Sequence, residues 1–247
     1  MMDYKFVTLK DRPELKGSLN GLHSLGWPDF MREDPKGDRY WDELLSLCPG
    51  FQFLLLNGSE EPIACGNSVP FHWNGHPSEL PPGWSSALEK GVLERLDNIS
   101  FNTLSAIAIV IHPEHRGTGL SEVMVRKMKQ MAIDHNIQQM IAPVRPSLKS
   151  DYPLIPMEDY IWWKREDGKP FDHWIRTHWK TGARIIKIAE RSMEIPGSIS
   201  QWEEWTGLKL LSSGSYVIKD GLVPLEVDKE VDEAHYIEPN VWMEHEL

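Results

Sequence analysis

The stretch AIAIVIHPEHRGTGLSEVMVRKMKQMAIDH, Ala106 to His135, changes its period halfway along. The seven residues from Ser105 to Ile111 carry no charge and are mostly Ala, Ile or Val, a composition that suits a strand covered on both faces. Pro113 stops that strand. Beyond the turn, Leu120, Val123, Met124, Met128, Met131 and Ala132 fall at helical spacing, while Arg126, Lys127, Lys129 and Gln130 point elsewhere. Asn136 reads as a left-handed cap. The order is strand, turn, helix, and Arg116-Gly117-Thr118-Gly119 stands where the helix begins.

Such a position has its own chemistry. The first N–H groups of a helix have no partner within it, and the macrodipole adds partial positive charge, so phosphate binds there readily. Gly117 and Gly119 let the backbone come close to an anion, and Arg116 adds a permanent charge able to grip phosphate at two points. Neither G-x-G-x-x-G nor G-x-x-x-x-G-K-[ST] is present in this segment. What remains is R-x-x-G-x-S: Arg116, Gly119 and Ser121. With its flanking strand and helix, this resembles the coenzyme A pyrophosphate loop of the GNAT superfamily of acyl-CoA N-acyltransferases.

Composition bounds the alternatives. A chain of 247 residues with eleven Trp buries a core and is not disordered. Cys48 and Cys65, with no paired spacing and no charged-then-apolar leader, point to a reducing, cytoplasmic setting. No apolar run is long enough to span a membrane. A formal net charge of −11 argues against bulk nucleic-acid binding, so the site for an anionic cofactor must be a local cationic exception, supplied by Arg116, Arg126, Lys127 and Lys129.

Along the chain, YKFVTL is a first strand and RPELKGSLNGLHSLGW and RYWDELLSL are helices. FQFLLL and PIACGNSVPFHW follow as strands joined by a polar turn. Residues 73–102 read as an insertion carrying the helix SALEKGVLERL. QMIAPVRP is the strand after the phosphate-binding helix. Residues 147–171 show no periodicity and mix Tyr152, Tyr160, Trp162 and Trp163 with prolines and charges, as a lid would. A helix begun at Asp172, a terminator at Gly182 and a strand from Arg184 to Glu194 come next. Asp220-Gly221 signals a hairpin, and HYIEPNVWMEH is a last strand within a C-terminal extension, 195–247. The expectation is one α/β (α+β) domain of GNAT-like fold, a central mixed sheet flanked by helices with added C-terminal strands.

The resemblance implies an acyl-CoA-dependent acyltransferase moving an acetyl group from acetyl-CoA to a small-molecule amine. It also implies that the central strand and its parallel neighbour part, so that main-chain groups near Ile109, Val110 and Ile111 hold pantetheine and polarise the thioester. Pyrophosphate contacts then fall on Arg116, Gly117, Thr118, Gly119, Leu120 and Ser121. The family's acid, four residues before the glycine closing the last helix, maps to His178, a different residue type. His72, His76 and Ser105 are candidate bases by position alone, and Trp162 and Trp163 are candidate substrate contacts. His112 and His115 share H-x-x-H spacing without a third ligand, so no metal is expected. Ser121 replaces a usual Gly or Ala, and Arg145-Pro146 stands where many members carry an asparagine. A catalytically silent acyl-CoA-binding module and a GNAT-fold enzyme that decarboxylates or loads a carrier thiol are the competing functions. The sequence leaves the oligomeric state open, a homodimer being compatible.

Overall fold

The computed structural model describes residues 4–247. Four antiparallel neighbours open the sheet: β1 (Lys5–Thr8), β2 (Gln52–Leu56), β3 (Pro62–Phe71) and β4 (Thr103–Ile111). Helices α1 (Lys16–Gly26) and α2 (Pro35–Leu47) come between β1 and β2. The start of α2 is set by Asp34, which accepts from the Gly37 N–H at 2.6 Å, with Pro35 at the first helical position where a missing N–H costs nothing. The 73–102 segment contributes α3 (Trp84–Leu96), which packs on β3 and α2.

β4 leads to α4 (Leu120–Asp134) and then to β5 (Gln139–Val144), the one parallel neighbour. On α4 the buried stripe is Leu120, Met124, Val125, Met128, Met131 and Ala132. Val123, expected on it, is 38% exposed, because a step of about 100° per residue puts Val125 rather than Val123 beside Met128. Asn136 caps the helix with φ 55°, as its sequence signal predicts.

After a short α5 (Met157–Tyr160), α6 (His173–Lys180) begins at Asp172, whose carboxylate accepts from the N–H groups of Trp174 and Ile175. β6 (Ala183–Gly197) follows, then α7 (Ile199–Thr206), β7 (Gly214–Tyr216), β8 (Leu225–Asp228) and β9 (Glu233–His245). The last strand is not peripheral. β9 pairs with β6 along nearly its whole length, and its C-terminal half also pairs with β5, so the final residues of the chain close the middle of a nine-stranded mixed sheet. The Asp220-Gly221 signal lies in the connection of an antiparallel hairpin, β7 with β8, whose loop, residues 217–224, is longer than two residues. Ile218 and Leu222 are buried, and the Leu222 N–H donates to the Tyr236 hydroxyl at 2.7 Å, so these two side chains anchor the connection to the core while Val217, Lys219 and Asp220 stay exposed.

Among the described residues, no helix is long and apolar enough to cross a membrane.

Candidate active site

β4 and β5 share only three register pairs, Thr103 to Ser105 against Gln139 to Ile141. Beyond Ser105, β4 stays with β3 as far as Ile111, while β5 stays with β9 as far as Val144. The two strands therefore part, and the β5-facing edge of β4 from Ala108 to Ile111 has no strand partner. A bulge sits at the fork: Asn67 faces Ala108 and Ser68 faces Ala106, leaving Ile107 unopposed. Its carbonyl accepts instead from the Trp84 indole N–H at 2.8 Å. Trp84 is held a second time, its main-chain N–H donating to Ser192 Oγ at 2.8 Å. Gly83 permits this approach, since a Cβ there would lie 2.2 Å from the Ser192 Cα. The resulting cleft measures about 710 Å³, the scale of a small-molecule site.

The turn before α4 closes one end. Gly117 and Gly119 have φ of 75° and 85°, and a Cβ on either would meet nothing within 4 Å. Glycine is used here for backbone conformation, and the turn faces open space. Among the described residues, no acceptor takes the N–H groups of Gly117, Thr118, Gly119, Leu120 or Ser121. Arg116 donates from Nε to the Ile111 carbonyl and from Nη2 to the Leu25 carbonyl, both at 3.1 Å, pinning the turn to the ends of β4 and α1. An array of unpaired donors at a helix N-terminus beside a guanidinium fits the pyrophosphate of coenzyme A.

Ile109, Val110, Ile111, Arg116, Gly117 and Ser121 line the cleft together, whereas the Thr118 hydroxyl turns to the His115 carbonyl and Leu120 is buried in the core. The other cations of α4 are spread along the helix: Lys127 lies over Phe6 and Lys129 donates to the Thr181 carbonyl.

The opposite end is floored by buried polar groups. Glu238 accepts from Arg145 at two points, 2.8 and 2.9 Å, and from the Tyr236 hydroxyl at 2.6 Å. Asn240 donates to Glu238 and accepts from Ser192 Oγ at 2.6 Å, which links this floor to Trp84. Arg145, at the position where the resemblance led to an asparagine, also donates to the Asp220 carbonyl, so its fork is occupied by the scaffold.

Helix α6 turns His173, Trp174 and Thr177 toward the cleft. Their i, i+1, i+4 spacing was the available signal. The guanidinium of Arg176 can only donate, so the His173 Nδ1 that it contacts is an acceptor and the ring proton sits on Nε2.

His178, the position expected for the acid, is on the inner side of α6 and does not line the cleft. It shares a 2.8 Å hydrogen bond with His245 and packs edge-on to Trp174, and burial holds it well below the usual histidine range. It lies one turn beyond Trp174, with its ring turned to His245 of β9.

Trp162 and Trp163 do not reach the cleft either. Trp162 is 63% exposed, and Trp163 packs with Tyr152, Tyr160 and Phe171. Their segment touches the cleft through Ser147 and Ser150. His72 and His76 are exposed and Ser105 is buried, all outside the cleft, and the His112 and His115 rings lie 6.0 Å apart in the turn after β4.

No family model matches the chain. Arginine N-acetyltransferase avaD from Aspergillus versicolor is 32% identical over 276 residues, covering 99% of this chain and 94% of that protein. Among solved structures, the loading GNATL domain of CurA from Lyngbya majuscula superposes with a TM-score of 0.61 at 16% identity, covering 100% of this chain and 98% of that one. The GphF GNAT-like decarboxylase in complex with isobutyryl-CoA gives 0.59 at 14% identity over 98% of each. With a relative this similar end to end, and with the parted strands and donor-rich turn on which the fold centres, the chain belongs to the GNAT superfamily of acyl-CoA N-acyltransferases.

Proposed function

We propose that this protein is an N-acetyltransferase that uses acetyl-CoA and a small cationic amino acid, L-arginine being the first acceptor to test. The observation that carries the reading is the parting of β4 from β5 next to a turn of unpaired N–H groups, because it offers main-chain donors along a path from pyrophosphate to thioester. The identity of 32% to an arginine N-acetyltransferase supports the acceptor class.

In this reading the donor-rich turn and Arg116 take the pyrophosphate, and the free edge of β4 aligns the pantetheine arm. The acceptor amine attacks the thioester carbonyl, a C–N bond forms, the C–S bond breaks, and the amine's proton leaves with the thiol or with solvent. The main-chain N–H groups of Ile109 and Ile111, which face away from β3, aimed at the carbonyl oxygen stabilise its developing charge, an effect worth about a hundredfold or more per donor. Helix α6 brings His173, Trp174 and Thr177 to the cleft, and we assign to the His173 Nε2–H a hydrogen bond to the departing sulfur. Cys48 and Cys65 are buried thiols whose ionisation burial pushes up to about 11 and about 12, so neither serves as a nucleophile, and both suit a reducing cytoplasm.

The test is thiol release from acetyl-CoA with L-arginine, L-citrulline and agmatine, with the mass of each product. Arginine-dependent release together with an acetylarginine product is expected. Thiol release independent of any amine, or arginine-dependent release without an acetylated product, would reject it.

A further inference from the structure

A second recess of about 340 Å³ lies between α1 and α2 and shares Trp27 and Trp84 with the cleft as a common wall. Its lining is opposite in character to that of the pyrophosphate turn. Trp27, Trp41 and Trp84 give it aromatic walls: the Trp41 and Trp84 rings are nearly parallel with centroids 6.5 Å apart, and Trp27 tilts against Trp84 at 5.5 Å. Asp38 and Asp42 stand one helical turn apart on its α2 side. Asp42 pairs with Lys16 at 2.8 Å, whereas among the described residues the Asp38 carboxylate has no ion-pair or hydrogen-bond partner. Among the described residues, the single cation lining the recess, Arg32, is paired with Asp29.

The third wall is His23, and its tautomer can be read from a buried chain of amides. Gln52 Nε2 donates to the carbonyls of Cys48 and Ser68, so its Oε1 must be the acceptor for Asn67 Nδ2. Asn67 Oδ1 then accepts from His23 Nε2 at 2.8 Å. The ring proton is therefore on Nε2, and the free ring nitrogen of a side chain lining the recess is Nδ1 with its lone pair. Burial pushes the His23 pKa down to about 4, so it stays neutral and accepting near neutral pH. Three π-faces, two carboxylates and an imidazole lone pair make a site for a planar cation that carries several N–H donors.

We propose that this recess seats the acceptor's non-reacting cationic head, a guanidinium, while the nitrogen to be acetylated reaches past Trp27 and Trp84 into the cleft. The proposal rests on the acetyl-transfer reading and adds two things to it: where arginine's side chain sits, and which of its nitrogens reacts. With the guanidinium held in the recess, the α-amine is the nucleophile.

The experiment compares the full-length wild type with Asp38→Asn and Trp41→Phe, two variants chosen to spare the fold, each checked by thermal unfolding. Expected is a rise of about tenfold in KM for L-arginine in Asp38→Asn, the scale of losing one charge, and a smaller rise in Trp41→Phe, whose ring keeps part of the cation–π contact, with KM for acetyl-CoA unchanged in both. The preference for arginine over its neutral isostere citrulline should shrink by a similar factor, and wild-type product should carry the acetyl group on the α-nitrogen. Unchanged arginine KM in both variants, or an acetyl group on the guanidino nitrogen, overturns the proposal even if arginine is a substrate. If the wild type does not turn over arginine, the acetyl-transfer reading falls separately. The recess is then judged by arginine quenching of tryptophan fluorescence, which supports it if lost in Asp38→Asn and overturns it if absent or unchanged.

Discussion

The cleft and the recess meet at one pair of indoles, yet they are made of different material. The cleft is built largely from main chain: a strand edge without a partner, a bulge at Ile107 and a turn of unpaired N–H groups. The recess is built from side chains brought together by α1, α2 and the start of α3. A main-chain site tolerates many side chains provided backbone conformations are kept, whereas a side-chain site changes ligand with one substitution. Donor binding and acceptor choice are thus separable within this fold, and the predictions below are arranged to separate them or to show that they cannot be separated.

The largest effect belongs to the shared wall. Trp84 is buried, bonds to Ile107 and Ser192, and faces both cavities. Trp84→Ala should lower folding stability by about 3–5 kcal/mol, the range for deleting a core tryptophan, and weaken both ligands. Urea unfolding with paired titrations checks this. Loss of one ligand alone would show that the compartments do not depend on a common partition.

Gly119→Val should act on the cleft only. A β-branched residue at φ 85° carries a strain of about 1–2 kcal/mol or more and re-aims the N–H groups that face the anion. Calorimetry should show acetyl-CoA affinity falling by about a hundredfold, with arginine binding unaltered. Arg116→Ala should cost about 1.5–3 kcal/mol of acetyl-CoA affinity, the scale of hydrogen bonds to charged groups, with some loss of order at the end of α1 because Arg116 also holds the Leu25 carbonyl.

Acid should affect the fold through buried imidazoles. Burial lowers His23 and His245 to about 4, and His178 is lowered in the same direction by burial and then by His245. As pH falls below about 6.5, the unfolded chain takes up protons that the folded one refuses. The contribution of His23 and of His245 is therefore complete above about 6.5 and is lost on descending toward 4, about 3 kcal/mol each at the bottom of that window, and His178 acts in the same direction. Urea midpoints measured from pH 7 to 4 should fall accordingly, and His245→Gln should flatten the slope. The smallest effect is expected at Trp162, whose exposed ring leaves Trp162→Ala within about 0.5 kcal/mol of wild type and with normal turnover. A changed acceptor preference in that variant would restore a substrate role to the 147–171 segment.

The same division explains what could be read in advance. The strand-turn-helix from Ser105 to Asn136 was legible because hydrophobic period, Pro113, two glycines and an arginine each act locally, and so were the caps at Asp172 and Gly182. That His178 turns to His245 rather than lining the cleft was not legible, because counting along a helix gives a position and not the side-chain partner it meets. Trp162 and Trp163 drew attention for their composition, although one packs in an aromatic cluster and the other faces outward. The recess was not legible, since Trp27, Trp41 and Trp84 are separated in sequence and meet only after α1, α2 and α3 pack. The role of β9 was hidden likewise, since nothing in Glu233 to His245 announces that the strand pairs between β5 and β6.

Amide hydrogen exchange with coenzyme A as sole ligand tests the central claim most directly, because that claim concerns main-chain N–H groups. Protection should appear at Ile109, Ile111 and Gly117 to Ser121, Ala108 and Val110 being already paired with β3, with residues of α1 and α2 around the recess unchanged until arginine is added. Protection absent from those two segments, or spread first over Trp27, Asp38 and Trp41, would contradict a donor cleft made of main chain and an acceptor recess made of side chains.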